Sequence, residues 1–248
     1  MKYRLIFVEG LPGTGKSTLS EQIYDMLVKK RISSELLLED NEKIPSNFYY
    51  IAAIPKSDFV GFSVDEAIIE ETENYFFINR KKCKEEMAKM LQRYDVGDEF
   101  NKSISLQEYI CCTLEWWRNW VVNFSNESIL ILDSAFMQCP INEMIFRGAS
   151  DSQAKEYIQA IAEIIKPFNP ICVYLRRENA TIAIDFAKVV KGEHWAKGID
   201  GLAQSDFPDL FERRFYLENE LLSLIPNIVC DIDGYDWSDT EIKLKELL

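Results

Sequence analysis

The sequence predicts an α/β fold, a five-stranded parallel sheet with helices on both faces. Three observations lead there. Five short apolar runs have the length and β-branched content of buried parallel strands: Tyr3 to Val8, Ser34 to Leu38, Ser128 to Leu132, Ile171 to Leu175, and Asn227 to Ile232. Amphipathic helical patterns lie between and after them, the alternation that builds a parallel sheet. The turn after the first run reads Gly10-Leu11-Pro12-Gly13-Thr14-Gly15-Lys16-Ser17, a complete G-x-x-x-x-G-K-[ST] pattern between a strand and a helix.

That turn carries the most chemistry. Glycines let backbone N–H groups turn inward around phosphate oxygens with no Cβ in the way. The helix that follows, Lys16 to Lys30, places Leu19, Ile23, Met26 and Leu27 on one face and aims its positive end at the same anion. Lys16 reaches toward β- and γ-phosphates, and the Ser17 hydroxyl is a ligand for Mg²⁺. Gly10, Pro12, Gly13, Thr14, Gly15, Lys16, Ser17 and Thr18 thus form the candidate nucleotide-phosphate site.

The second run ends at Glu39-Asp40. A carboxylate here is placed to accept a proton from a hydroxyl attacking a phosphoryl group. Strand side chains alternate, so one of the two faces the site, and the sequence leaves open which.

Residues 41–127 contain few β-like runs but three helical patterns, Val64 to Glu73, Lys81 to Tyr94 and Ser105 to Phe124. They predict a mainly helical insertion over the carboxyl edge of the sheet, where open α/β sheets bind ligands. Such an insertion would hold an acceptor. Within it, Glu115-Trp116-Trp117-Arg118-Asn119-Trp120 is dense in aromatics. Trp116 and Trp120 share a helical face and read as core. Trp117 and Arg118 are candidates for a stacking wall and an anion grip. Tyr49, Tyr50, Tyr75, Phe76 and Phe77 read as packing.

The third run ends in Asp133, placed to hold Mg²⁺ beside a phosphate loop. Asn142, Glu143 and Arg147 follow, with Arg147 either a phosphate contact or a helix-surface residue. A helix is predicted over Ser152 to Lys166, stopped by Pro167. The fourth run ends in Arg176-Arg177, and a helix follows over Asn179 to Val190. Lys188, Lys191, His194 and Lys197, with Gly192, Gly198 and Gly201, make 176–205 a candidate basic lid over a transferring phosphoryl group. After the fifth run, Ser238 is a plausible cap for a last helix reaching Leu248.

Composition excludes several classes. The net charge is −13 and the pI about 4.7. Both argue against nucleic acid or an anionic membrane as partner, since either needs a basic surface. Hydrophobic content of 47% supports a real core, and no apolar run approaches a membrane span. The N-terminus runs straight into the first strand, and six cysteines form no C-x-x-C pair, so reduced thiols and a cytoplasmic location are expected. His194 is the lone histidine, which removes a His-based metal cluster or Ser/His/Asp triad.

These residues resemble a known group. Phe7-Val8-Glu9-Gly10 leading into Gly13-Thr14-Gly15-Lys16-Ser17-Thr18 looks like the opening of thymidylate kinases and deoxynucleoside kinases. Tyr174-Leu175-Arg176, with the helix and basic stretch after it, resembles their fourth strand and lid. Asp236-Trp237 resembles a segment near the adenine. The resemblance implies a single P-loop NTPase domain of three α/β/α layers, with strand order 2-3-1-4-5. It also implies an ATP- and Mg²⁺-dependent phosphotransferase with Glu39 or Asp40 as base. Asp133 is followed by Ser134 where those families carry arginine, which leaves the acceptor open: nucleoside, nucleotide or another small molecule. On this reading Lys16, Glu39, Asp40 and Arg176 are the catalytic candidates, and Arg118, Trp117, Arg147 and Arg177 the substrate contacts. A homodimer through the insertion is compatible with the pattern. A guanine switch lacks support, because the Asn101-Lys102-Ser103-Ile104 segment has no aspartate and no D-x-x-G follows Asp133. The remaining alternatives are a P-loop ATPase or a nucleotide-binding regulator without a small-molecule acceptor.

Overall fold

Residues 3–39, 41, 43–59, 65–97, 103–123, 128–203, 209–232, 240 and 242–244 are described by the computed structural model. Five strands form one parallel sheet: β1 (Leu5–Glu9), β2 (Ser34–Leu37), β6 (Ile129–Asp133), β7 (Pro170–Arg176) and β8 (Asn227–Asp231). Their order is β2-β6-β1-β7-β8, which is 2-3-1-4-5 when these five alone are counted. β1 lies in the centre, with Val8 opposite Asp133 on one side and Glu9 opposite Tyr174 on the other. That register brings the phosphate loop, Asp133 and the end of β7 to one sheet edge.

Alternation decides the layers. Leu5, Phe7, Leu130, Leu132, Cys172 and Tyr174 point into the larger core. This core also takes in α3 (Leu106–Asn123), α4 (Gln138–Phe146), α5 (Asp151–Ile165) and α8 (Leu210–Leu221). Ile6, Val8, Ile131, Val173 and Leu175 point the other way, onto Leu19, Ile23 and Leu27 of α1 (Lys16–Lys29). Strands apolar on both faces are what a sheet covered on both sides requires.

The helix starts follow their caps. Ser150 and Gln153 form a reciprocal capping box at α5, so the helix begins at Asp151, one residue before the Ser152 start predicted. Asn179 accepts from Ile182 N–H and caps α6 (Ala180–Lys191), within one residue at each end of the Asn179 to Val190 helix predicted. α7 (Glu193–Ala203) completes the segment that follows β7.

The insertion is not mainly helical. It holds a three-stranded antiparallel sheet, β3 (Ile51–Pro55), β4 (Ile68–Glu71) and β5 (Tyr75–Asn79), in the order β3-β5-β4. Two helices, α2 (Glu85–Leu91) and α3, accompany it. The stretch read as a helix over Val64 to Glu73 contains β4, with a bulge between Ile68 and Glu70. Apolar runs of four or five residues carry too little periodicity to separate strand from helix, and cross-strand pairing decided the outcome. Of the last predicted helix, residues 240 and 242–244 are helical, and Asp236, Trp237 and Ser238 lie outside the described residues. All six cysteines are free of disulfides. Among the described residues no helix is long and apolar enough to cross a membrane.

Candidate functional site

The phosphate loop is pinned from two sides. Gly10 has φ 139°, and a Cβ there would sit 2.3 Å from the Leu175 carbonyl oxygen. Gly13 has φ 78°, and its Cβ would meet Ala187 of α6 at 2.6 Å. Gly15 caps α1 in the left-handed region (φ 93°) with no side chain on the cap, so backbone N–H groups of the first turn face the loop's concavity. Thr14 Oγ1 donates to Leu11 O at 2.8 Å and closes the turn.

Lys16 is 8% exposed and donates to the Leu11 carbonyl oxygen at 3.2 Å. Burial pulls its pKa below the ordinary lysine value, with Asp133 pushing back most strongly and Arg214 adding to the depression. A phosphate in the loop would meet an ammonium with little water around it. Ser17 Oγ donates to Asp133 Oδ2 at 2.6 Å, and Ser134 Oγ donates to Asp133 Oδ1 at 2.8 Å. Ser134 adopts φ 63°, a left-handed backbone that turns the chain at the strand end. The Ser17 hydroxyl and Asp133 carboxylate are hard oxygen donors suited to Mg²⁺ completed by phosphate oxygens and water. No cluster of three or more His, Cys, Asp or Glu capable of holding a metal occurs among the described residues.

Of the Glu39-Asp40 pair, Asp40 lies outside the described residues. Glu39 turns into the site: its Oε1 accepts from Gln138 Nε2 at 2.8 Å, and it lines the same cavities as Lys16. Glu9, just before the loop, is fully buried and accepts from the N–H groups of Phe136 (2.6 Å) and Gln138 (3.0 Å). It thereby anchors the start of α4. Burial pushes its pKa up to about 8.

Two cavities meet at Lys16 and Glu39. One, about 400 Å³, is lined by Gly13 to Thr18, Gln22, Arg177, Phe186 and Lys191. The other, about 310 Å³, lies between α4, α8 and the insertion, with Phe48, Asn142, Trp195 and Arg214 in its wall. A larger cavity of about 690 Å³ sits between β2, α3 and the small sheet. It contains none of the phosphate-loop residues.

Several predicted contacts lie elsewhere. Arg176 is held by Asp231 at the end of β8, at 2.7 and 3.2 Å, and lines neither site cavity. Arg177 lines the phosphate cavity instead, its guanidinium 3.8 Å above the Phe186 ring. Trp117 is 0% exposed, because the buried stripe of α3 runs Tyr109, Cys112, Thr113, Trp116, Trp117. It is core. Trp120 is only partly buried and donates from Nε1 to Lys43 O. Arg118 is exposed on α3 and lines neither site cavity. Arg147 is buried and donates to Val96 O (2.7 Å) and Ile104 O (2.9 Å) over the Tyr109 ring. It staples the insertion to α4 rather than facing a ligand. In the basic segment, Lys188 pairs with Asp200 and Lys197 with Glu193. Lys191, over the Trp195 ring, borders both site cavities.

Sequence reasoning missed Gln138 and Arg214. Arg214 is 1% exposed on α8 and pairs with Glu218 at 2.7 Å. It also donates to Gly10 O (3.2 Å), Gln138 Oε1 (3.3 Å) and Asn142 Oδ1 (3.2 Å). Glu218 in turn accepts from the Tyr174 hydroxyl at 2.7 Å. The available signal was an Arg and a Glu four apart on the same helical face as Leu210, Leu217 and Leu221, a charged pair inside an apolar stripe.

No protein-family model matches this chain, and no curated protein does. Among solved structures, a thymidylate kinase from Candida albicans is similar over 99% of this chain and 90% of its own, with a TM-score of 0.46 and 13% identity.

Proposed function

We propose that this chain is an ATP- and Mg²⁺-dependent phosphotransferase that moves the γ-phosphoryl group of ATP to a small-molecule acceptor. The observation that carries the reading is the 2.6 Å bond from Ser17 Oγ to Asp133 Oδ2 beside the buried Lys16, with Glu39 across the same cavity. Loop, metal-type oxygens and the Glu39 carboxylate converge where two cavities meet. A pure nucleotide binder has no need of the second cavity or of Glu39.

In this reading the loop N–H groups and Lys16 bind the donor phosphates and offset charge as it develops on them. Mg²⁺, when bound, neutralises charge on the transferring group, and Ser17 and Asp133 are the residues that would hold it. Arg177, rather than Arg176, is the arginine of the pair positioned to meet the phosphates. Glu39 receives the proton of the attacking group, and the cavity of about 310 Å³ takes the acceptor. The absence of a guanine-reading motif favours ATP as donor. The acidic composition favours a small-molecule acceptor over nucleic acid or membrane.

The test is Lys16→Ala in an acceptor screen with γ-labelled ATP. The native chain should transfer label in a Mg²⁺-dependent way, and the variant should fold yet lose at least a hundredfold in rate, as loss of a phosphate-stabilising charge does. Transfer by the variant within tenfold of native would overturn the mechanism. Steady ATP hydrolysis that no acceptor stimulates would favour an ATPase instead.

A further inference from the structure

We infer that the chain carries a second small-molecule site, apart from the phosphate loop, and that it takes a ring-bearing carboxylate. The site is the cavity of about 690 Å³ between β2, α3 and the small sheet, larger than either cavity beside Lys16 and well within the range of ligand pockets. None of the phosphate-loop residues lines it, so an occupant there needs neither a nucleotide nor phosphoryl transfer. The walls favour a ring. Leu37, Ile51, Ile69, Trp116, Trp120 and Leu130 supply aliphatic and aromatic lining. Trp116 is fixed in place by Phe48 and Phe77, at ring-centroid distances of 5.9 and 4.7 Å. Apolar surface of this kind gains when a ring displaces water from it.

Asn79 supplies the polar contact. It ends β5, pairs with Ile51 across the small sheet and is 6% exposed. Its Oδ1 accepts from Lys81 N–H at 3.0 Å and caps the short helical turn that follows. That bond fixes the amide, so Nδ2 is the end left over. Nδ2 makes no hydrogen bond among the described residues and is not sealed away, on a side chain that lines the cavity. An acceptor oxygen brought in by a ligand would satisfy it. Lys81 lines the same cavity, its ammonium 4.4 Å from the Tyr50 ring centroid and paired with no carboxylate among the described residues. A carboxylate between Asn79 Nδ2 and Lys81 meets a neutral donor and a cation, which makes its hydrogen bonds charge-assisted. Lys43, the other cation in the wall, is paired with Glu35 at 2.7 Å. Glu70, the other carboxylate, accepts from Asn119 Nδ2, and an ammonium drawn to Glu70 is the rival occupant.

The cavity borders the site around Lys16 without entering it. Asn47 and Tyr49 line both this cavity and the smaller site cavity, and Asn47 Oδ1 accepts from Tyr49 N–H at 3.1 Å. Leu37 of β2 is in the wall, two residues before Glu39. An occupant would therefore rest against the segment that walls the smaller cavity and leave the phosphate loop untouched.

The test uses the full chain, without nucleotide, and two acids, 2-naphthoate and 4-biphenylcarboxylate, each beside its alcohol and its methylammonium counterpart. Binding is followed by heteronuclear NMR, with the Asn79 side-chain amide assigned. Expected is at least one acid that binds at about 1 mM or tighter, shifts that amide, and binds about fivefold or more tighter than its alcohol or ammonium. Asn79→Asp keeps the oxygen that caps Lys81 N–H but replaces the donor, and should weaken the acid about tenfold or more. Lys81→Met, at an exposed position, should weaken it about threefold or more and shrink its advantage over the alcohol. Should Asn79→Asp fail to fold, Lys81→Met decides. A phosphate loop also attracts acids, so Lys16→Ala is the control and should leave affinity within about twofold. No binding by either acid, a preference for the alcohol or the ammonium, unchanged affinity in the cavity variants, or loss of binding in Lys16→Ala would each overturn the assignment. None of these results bears on phosphoryl transfer, which the labelled-ATP screen tests separately.

Discussion

Gly13→Ala tests whether the phosphate loop is held by the helix after β7. The added methyl would lie 2.6 Å from Ala187 Cβ, 2.7 Å from its Cα and 2.8 Å from its backbone nitrogen, all closer than real contacts allow. The residue also sits at φ 78°, a region costing an L-residue about 1–2 kcal/mol. Forcing α6 away from the loop adds an overpacking cost of about 1–3 kcal/mol. Together these give a destabilisation of roughly 2–5 kcal/mol. For a chain of this size each kcal/mol lowers Tm by about 2–4 °C. Urea unfolding should therefore show a lower midpoint with an unchanged slope. The second-site variant Ala187→Gly sharpens the test. It removes one of the three close contacts, while the other two are to backbone and remain. The double variant should recover less than about 1 kcal/mol after allowing for a helical glycine. Gly13→Ala within about 0.5 kcal/mol of native, or full rescue by Ala187→Gly, would refute the packing argument.

Glu9 makes stability depend on pH. Its folded pKa of about 8 lies above the ordinary carboxylate value of 4.5, so the native state holds a proton that the unfolded chain has released. The group's contribution is intact below about pH 4.5 and is lost as pH rises to 8, at up to about 1.4 kcal/mol per pH unit. Tm against pH for native and Glu9→Gln should diverge across that window, the native falling faster, and parallel curves would refute it. Arg147→Ala should cost about 3–5 kcal/mol in urea unfolding, since it removes the ion pair to Glu143 and leaves two buried carbonyls without their donor, while acceptor KM stays unchanged. A raised KM at native stability would return Arg147 to a substrate role.

The local pattern determined the framework. A strand, three glycines and a helix specify the phosphate loop, because only glycine meets φ 139° at Gly10 and φ 78° at Gly13 without a clash. Five apolar runs gave the parallel sheet, since a strand buried on both faces has little other composition open to it. Asp133 at a strand end and Ser17 at a helix start needed only the sheet's register to meet.

Tertiary structure decided which of the described side chains in each ambiguous set reach the cavity beside Lys16. Glu39 faces Lys16 because Gln138 fixes it, and Gln138 sits on a helix opening with a proline two residues on, which hid α4 from a periodicity reading. Arg176 and Arg177 are neighbours in sequence, but strand alternation sends one to Asp231 and leaves the other over Phe186. Trp117 and Arg147 looked like ligand contacts by type, and packing made one core and the other a staple. The Arg214–Glu218 pair is visible within its own helix, but that Arg214 reaches Gly10, Gln138 and Asn142, far away in the chain, is not. Local sequence specifies backbone shape through short-range sterics. Which charges are spent and which remain free depends on long-range contacts, and only the fold settles those.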